Sequence, residues 1–239
     1  MRDFEQSIII NEKIKLEERF EFRTIFSEEA VQAASVERVC FPPNEACTEE
    51  MMKQRALKIR ELFFVAVDRK SGEVAGFLNG LATDGDCLKD EFFRNADLHD
   101  PTGDNVMILG LAVLPKYRGI GVASELMRRY SGIQRQQGRC ALILTCLDAK
   151  VEMYKKMGFE DEGISDSSWG GEQWHQMRKI PQNQIGEIKC ILQIFISIPA
   201  ILMRRARHVR WNILIYGQGE KEFILLGQVI LHIRHGGRS

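Results

Sequence analysis

The residues of this chain that are best suited to chemistry lie in the turn Arg118-Gly119-Ile120-Gly121-Val122-Ala123. Its two glycines leave backbone N–H groups uncovered, and an amphipathic helical pattern begins directly after them. N–H groups at a helix N-terminus attract anions, because the positive end of the helix dipole lies there. The turn therefore predicts a phosphate or pyrophosphate site, with a tight strand-to-helix connection that binds nothing as the alternative.

The turn differs from the two common nucleotide-binding loops. No Gly-Lys-Ser/Thr follows it, which excludes a Walker loop, and it lacks the Gly-x-Gly-x-x-Gly spacing of a dinucleotide fingerprint. The sequence therefore predicts an anion-binding turn of another type.

The turn needs a strand before it and a helix after it. The run 106–114 is apolar and uncharged, as in a strand buried on both faces, and Pro115 ends it. Apolar residues then recur at helical spacing from Val122 to Ile133. The next apolar run, 141–146, predicts a strand parallel to the first, connected through a right-handed crossover.

Further patterns predict the rest of a mixed α/β domain. Hydroxyl caps followed by acids begin two helices, and a polar, acidic stretch at 83–105 predicts a loop. The remaining predicted elements are a strand at 16–25, helices at 27–39 and 48–62, a hairpin of 63–68 and 74–82, a helix beginning at Asp148, and a hairpin of 159–165 and 173–180.

Several motifs carry a family resemblance. Arg118-x-x-Gly121-x-Ala123 after a buried strand resembles the acyl-CoA signature of the GCN5-related N-acetyltransferase (GNAT) superfamily. The segment DAKVEMYKKMGF, 148–159, is similar to the closing segment of that superfamily, a tyrosine-bearing helix that ends in Gly-Phe. More narrowly, FPPNEACTEEM, GLAV, RQQG and YKKMGF resemble the arylalkylamine (serotonin-type) N-acetyltransferase branch, particularly its bacterial relatives. The resemblance covers about residues 20–180.

The resemblance implies a particular fold and domain layout. The fold is a mixed, mostly antiparallel sheet of six to seven strands, with a splayed parallel central pair and helices on both faces. The pantetheine arm of the cofactor enters the gap between the splayed strands. We therefore expect a lead-in at 1–15, an acetyltransferase domain at 16–180, and a separate extension at 181–239.

The resemblance also implies roles for residues. Tyr154 corresponds to the family tyrosine that acts as general acid, although its helical spacing also suits a core tyrosine. Phe41 lies in the connection that borders the acceptor amine, where a proline-stiffened loop is the alternative. Acetyl-CoA is the expected co-substrate, without a metal. The residues expected to bind it are Leu111, Ala112, Val113, Arg118, Gly119, Ile120, Gly121, Val122, Ala123 and Ser124.

One feature departs from the resemblance. Vertebrate members of the branch place histidines on the central strand, where this chain has Met107 and Leu109. Neither side chain can carry a proton. The general base is therefore absent, its work done by water or by an already neutral amine, or it is an acid elsewhere.

The function predicted from these motifs is acetyl transfer from acetyl-CoA to a primary amine of a small molecule, such as an arylalkylamine. The alternative is a non-catalytic acyl-CoA-binding regulatory module. Residues 1–180 carry 25 basic and 30 acidic side chains, which disfavours nucleic acid as a partner and suits a cationic amine. The five histidines are scattered and suggest no metal site.

The C-terminal extension has its own composition. Its apolar run 191–203 precedes the basic RRARHVR, but it is shorter than the ~20 residues of a membrane span and contains Pro199. Contact with a membrane surface, a packed accessory element and a shifted reading frame all fit, and we favour an element dispensable for catalysis. The polar start, 1–6, lacks a signal-peptide pattern and predicts a cytoplasmic protein, monomeric or homodimeric.

Overall fold

A seven-stranded sheet is the framework of the described part of the chain. The computed structural model describes residues 16–181 and the backbone of two further strands, 212–217 and 223–228. The strands of the main sheet are β1 Phe20–Thr24, β2 Phe63–Asp68, β3 Val74–Thr83, β4 Asn105–Val113, β5 Ala141–Cys146, β6 Glu160–Ile164 and β7 His175–Lys179. Their order is β1-β2-β3-β4-β5-β7-β6. Every neighbouring pair is antiparallel except β4 and β5.

Between Phe20 and Pro181 of the described residues, five α-helices lie around this sheet. They are α1 Ala30–Cys40, α2 Glu49–Lys58, α3 Glu91–Arg94, α4 Val122–Gln136 and α5 Asp148–Lys156. The predicted Thr48 cap is present, since its side chain accepts a hydrogen bond from the Met51 N–H at 3.2 Å. Gly158 follows α5 with a φ of +87°, the left-handed conformation expected where a helix ends at glycine.

Buried residues on both sides of the central strands explain their continuous apolar runs. Phe77 and Leu78 are neighbours on β3 and therefore point to opposite faces of the sheet, yet both are 0% exposed. Helices α1 and α4 both contact β3. The mixed α/β fold predicted from the sequence, with helices around a mostly antiparallel sheet, is confirmed.

Three local predictions differ from the structure. Ser27, one of the two predicted hydroxyl caps, makes no capping hydrogen bond. The first strand begins at Phe20, which pairs with Asp68 at the end of β2, and residues 16–19 are helical. The stretch 83–105 contains α3, where the buried side chains of Phe92 and Phe93 supply an apolar anchor. Because acidic residues dominate the composition of 83–105, the sequence pattern predicts a loop there and not a helix.

Strands β4 and β5 separate along their length. They pair only through residues 105–107 and 141–143, whereas β4 continues to Val113 and β5 to Cys146. A register shift opposite Asn79 and Gly80 leaves Leu109 as an extra residue on β4. The parallel central pair is therefore splayed, and β4 has no strand partner on its β5 side after Met107 in the described residues.

The chain divides into two compact units, residues 1–181 and 182–239. In the second unit, β8 Asn212–Gly217 pairs antiparallel with β9 Phe223–Gln228. The predictions for the apolar run 191–203 and the basic segment after it lie outside the described residues. Within those that are described, no helix is long and apolar enough to cross a membrane.

Candidate active site

The predicted anion-binding turn joins β4 to α4. Gly119 and Gly121 have φ values of +79° and +93°, which side chains other than glycine rarely adopt. Gly121 is the N-cap of α4 and provides no side chain to cap it. The first backbone N–H groups of a helix have no partner within the helix, so those of residues 122–124 are available to an anion.

Arg118 fastens the turn to the end of β4. Its Nε donates a hydrogen bond to the Val113 carbonyl at 2.9 Å, and the Cys40 thiol donates to the same oxygen at 3.4 Å. Arg118 is one of the residues expected to bind acetyl-CoA. In the structure its Nε holds the loop to the strand, so the amides of the turn are positioned by a side chain of the turn itself.

A cavity of about 70 Å³ opens where β4 and β5 separate. Backbone and side chains of both strands line one part of it, and aromatic and acidic side chains line the rest. The strand residues are Ile108, Leu109, Gly110, Leu111, Leu144 and Thr145; the aromatic residues are Phe41, Phe93, Tyr154, Trp169 and Trp174; the acids are Glu37 and Glu45.

Tyr154 contributes a phenol to this cavity from α5. The side chain is 9% exposed and meets the Phe159 ring edge-on, with ring centroids 5.7 Å apart. Burial raises the pKa of Tyr154, and neighbouring Cys146 raises it further. The hydroxyl therefore keeps its proton at neutral pH and can donate it.

An aromatic wall closes one side of the cavity. The Trp169 ring stacks on the Phe93 ring with centroids 4.6 Å apart, and its indole N–H donates to the Glu45 carbonyl at 2.8 Å. Trp174 donates its indole N–H to the Trp169 carbonyl at 2.9 Å. These contacts join the β6–β7 loop to α3 and to the connection between α1 and α2.

Glu37 and Glu45 are the two acids of the cavity. Glu37 is 3% exposed, and its Oε1 accepts a hydrogen bond from the Cys47 N–H at 3.0 Å. Burial raises the pKa of Glu37, while that hydrogen bond and the charge of Arg55 oppose the rise. Burial and the charge of Glu172 raise the pKa of Glu45, which is only partly buried.

Buried Arg55 lies close to Glu37. The guanidinium donates to the Phe93 carbonyl at 2.7 Å, to the Cys47 sulfur at 3.3 Å and to Asn79 Oδ1 at 3.4 Å. These bonds tie α2 to α3 and to β3. Neutral partners thus hold the positive charge of Arg55 near Glu37.

The structure brings some predicted site residues together and separates others. Phe41, Leu111 and Tyr154 line one cavity, whereas Ala112, Val113 and the turn 118–124 lie outside its lining. The edge of β4 that is left unpaired where β4 and β5 separate connects the cavity to the turn. Their roles stay predictions.

The acids and the tryptophans of the cavity are not among the site residues predicted from the sequence. Glu37 had a signal: residues 30, 33, 34 and 37 share one helical face, and the first three are alanines that are buried. A charged residue on an apolar face is unusual and indicates a function or a buried partner. Trp169 and Trp174 stand in a polar connection, and nothing in its pattern points toward a distant cavity.

No group of three or more His, Cys, Asp or Glu within the described residues could hold a metal ion. The polar groups that line the cavity are strand backbone, the Tyr154 phenol, the Thr145 hydroxyl and the carboxyl groups of Glu37 and Glu45.

Comparison with known proteins identifies similar chains. A family model described as Acetyltransferase (GNAT) family matches residues 28–159, more than half of the chain. A comparison with curated proteins gives no match.

Solved structures resemble the fold. The GphF GNAT-like decarboxylase in complex with isobutyryl-CoA is 16% identical with a TM-score of 0.57, over 68% of this chain and 100% of that one. The loading GNATL domain of CurA from Lyngbya majuscula is 14% identical with a TM-score of 0.59, over 68% and 98%. The ribosomal-protein-S18-alanine N-acetyltransferase from Escherichia coli is 16% identical with a TM-score of 0.50, over 69% and 95%. At these identities the likeness concerns the fold alone.

Proposed function

The chain belongs to the GNAT acetyltransferase family, and on that premise we propose that it transfers the acetyl group of acetyl-CoA to the primary amine of a small molecule. The observation that carries this proposal is a single cavity in which the open edge of β4, the Tyr154 phenol and an acid-lined aromatic wall meet. A thioester, a proton donor and an amine site are the parts that acetyl transfer needs.

The turn between β4 and α4 is proposed to hold the coenzyme A pyrophosphate. The N–H groups of residues 122–124 have no partner within the helix at the start of α4, and Ser124 is exposed there and can add a hydroxyl. The pantetheine arm would follow the separating edge of β4 toward Leu111, along Val113 and Ala112. Backbone N–H groups on this edge can bind the arm and polarise the thioester carbonyl, and such a donor is worth about 3 kcal/mol of barrier.

Tyr154 is proposed as the general acid. When the amine nitrogen has attacked the thioester carbon and the C–S bond breaks, the phenol gives its proton to the departing sulfur. The ammonium proton of the adduct restores the phenol through solvent. Burial keeps Tyr154 protonated, which suits a group that must donate at neutral pH.

An arylalkylamine is the proposed acceptor. Phe41, Phe93 and Trp169 offer flat apolar surface for an aromatic body, and the acids of the cavity offer negative charge for its ammonium group. The segment 41–51, which resembles the arylalkylamine branch, forms part of this wall through Phe41 and Glu45.

A non-catalytic acyl-CoA-binding module is the second candidate. It is favoured by Met107 and Leu109, which are buried and carry no proton where vertebrate members of the arylalkylamine branch have histidines. The two candidates differ in turnover and agree in cofactor binding.

Free-thiol release with acetyl-CoA and a panel of amines tests the proposal. The panel contains 2-phenylethylamine, tryptamine, spermidine and a peptide with a free N-terminus, and mass spectrometry identifies the acetylated product. We expect release with the arylalkylamines first. Saturating acetyl-CoA binding without acetylation of any amine would favour the binding module instead.

A further inference from the structure

We propose that Glu37 binds the ammonium group of the acceptor and takes its proton, because one of its carboxylate oxygens is buried against the cavity without a partner. This inference rests on the proposed acetyl transfer and names the missing base of that reaction. It also defines the acceptor as a molecule that arrives as a cation.

The hydrogen bonding of Glu37 is unequal between its two oxygens. Oε1 accepts from the Cys47 N–H at 3.0 Å, whereas Oε2 has no hydrogen-bond partner within the described residues. The side chain is 3% exposed and lines the same cavity as Tyr154. A buried charged oxygen without a partner is unfavourable, and an ammonium group entering the cavity would satisfy it.

The charge of Arg55 opposes the rise that burial causes in the pKa of Glu37, and it does so without occupying the free carboxylate oxygen. Its guanidinium donates to neutral acceptors, Cys47 Sγ, Asn79 Oδ1 and the Phe93 carbonyl, and no ion pair within 4.0 Å joins it to Glu37 in the described part of the chain. A nearby positive charge still favours the carboxylate over the carboxylic acid. Oε2 is thereby left for a ligand.

The titratable groups around Glu37 are few. Cys40 lies on its own helix, Cys47 and Arg55 lie on the connection and helix that pack against it, and Glu45 and Tyr154 line the cavity with it. Burial raises the pKa of both thiols, so they stay neutral and are poor proton acceptors at neutral pH. Glu45 is the competing base, but its side chain is partly exposed, so water can solvate its charge outside the cavity.

The proton balance of the step is simple. The acceptor enters as R–NH₃⁺, and the Glu37 carboxylate takes one proton to give R–NH₂ and a neutral carboxylic acid. The amine lone pair then forms the C–N bond while the C–S electron pair leaves with sulfur, which the Tyr154 proton neutralises. The second amine proton is lost as the amide forms and restores the Tyr154 phenol through solvent. Glu37 returns its proton to solvent when the amide product leaves, so each turnover releases one proton.

The variant Glu37→Gln tests this proposal, because glutamine keeps the acceptor for the Cys47 N–H and removes the base. We expect kcat/KM for the best amine to fall by about 10²–10⁴-fold, the range typical of a general base. The acid limb of the wild-type pH–rate profile should disappear, and acetyl-CoA affinity should change less than about twofold. The control is Glu45→Gln, the same change in the competing acid, which should retain the acid limb.

A binding titration separates this inference from the proposed function. Calorimetry with 2-phenylethylamine and the full chain loaded with CoA measures the ammonium site without turnover. We expect at least about a tenfold loss of affinity in Glu37→Gln. If wild type acetylates no amine but binds 2-phenylethylamine through Glu37, the transfer reaction fails and the ammonium site stands. If wild type does not bind it, or Glu37→Gln binds or turns over as wild type does, the inference is overturned.

Discussion

The rings of Phe93 and Trp169 stack with their centroids 4.6 Å apart, although the two residues belong to different parts of the chain. Phe93 comes from α3, inside the acidic stretch between β3 and β4, and Trp169 comes from the β6–β7 loop. Arg94 lies over the Trp169 ring at 5.0 Å. Both rings line the cavity, so this part of its wall depends on the packing of α3 against the β6–β7 loop.

Removing this stack should weaken acceptor binding and leave the cofactor site intact. In Trp169→Ala both the ring surface and the indole hydrogen bond to the Glu45 carbonyl are lost. We expect kcat/KM for an arylalkylamine to fall about tenfold or more, since a stacked aromatic pair contributes beyond its buried area. Steady-state kinetics measures this loss. Trp169→Phe keeps a ring on Phe93 and should lose less, whereas equal losses would contradict a role for stacking.

The cofactor turn can be tested at Gly121, the N-cap of α4. Gly121→Val forces a branched side chain into a φ of +93° and covers the outward N–H groups. We expect the CoA dissociation constant, measured by calorimetry, to rise about tenfold or more, which corresponds to about 1.4 kcal/mol.

The matched control for that variant is Gly138→Val. Gly138 has a φ of +74° and lies just beyond the C-terminal end of the same helix. That helix is about 22 Å long at 1.5 Å per residue. The backbone strain is similar, so thermal stability should fall in both variants. An equal loss of CoA affinity at both ends would mean that strain, and not the turn, controls binding.

Tyr154→Phe removes the proposed general acid but keeps the ring. We expect kcat to fall by about 10²–10⁴-fold with acetyl-CoA affinity unchanged. Tyr130→Phe is the control: this buried phenol on α4 donates to the Leu62 carbonyl at 3.3 Å and does not line the cavity. It should lower thermal stability and spare kcat. Stopped-flow measurement of thiol release under single-turnover conditions distinguishes the two.

Glu37 should also affect stability in a pH-dependent way. Burial raises its pKa in the folded chain, so the fold favours the protonated carboxyl. That contribution is complete below the pKa of the unfolded chain and is lost as pH rises through the raised folded value. Glu37→Gln stays neutral, and we expect its Tm to exceed that of wild type by about 2–4 °C at neutral pH. The difference should vanish below about pH 4.

Glu29 provides a control of opposite sign for this experiment. Burial acts to raise the pKa of Glu29, but hydrogen bonds from Arg23 at 2.7 and 2.8 Å and from the Phe26 N–H outweigh it and lower the value. Its stabilising effect is therefore present at neutral pH and lost in acid. Glu29→Gln should lower Tm at neutral pH. Thermal scans from pH 4 to 8 measure the change in Tm for each variant. Changes of the same sign at neutral pH would contradict the opposite pKa shifts of Glu37 and Glu29.

Residues that are close together in the sequence determined many of the strands, helix ends and turns of this protein. The apolar runs of β2, β4 and β5, the Thr48 cap and the glycines at 119, 121 and 158 are each specified by residues close in sequence. Periodicity and backbone conformation act over a few positions, so a strand, a turn and a helix could be predicted there. The family motifs lie on those same elements, which is why the fold class and the glycine turn between β4 and α4 could be predicted; the role of that turn in binding a cofactor stays a prediction.

Only the tertiary structure decided which side chains share the cavity. The separation of β4 and β5 depends on β5 pairing with β7, and the Leu109 bulge depends on the register with β3. Glu37, Phe93 and Trp169 come from segments far apart in sequence and meet because helices and loops pack over the same opening. Contacts between distant residues leave no short-range pattern, so the acid that we propose as the base became visible only when the chain was folded.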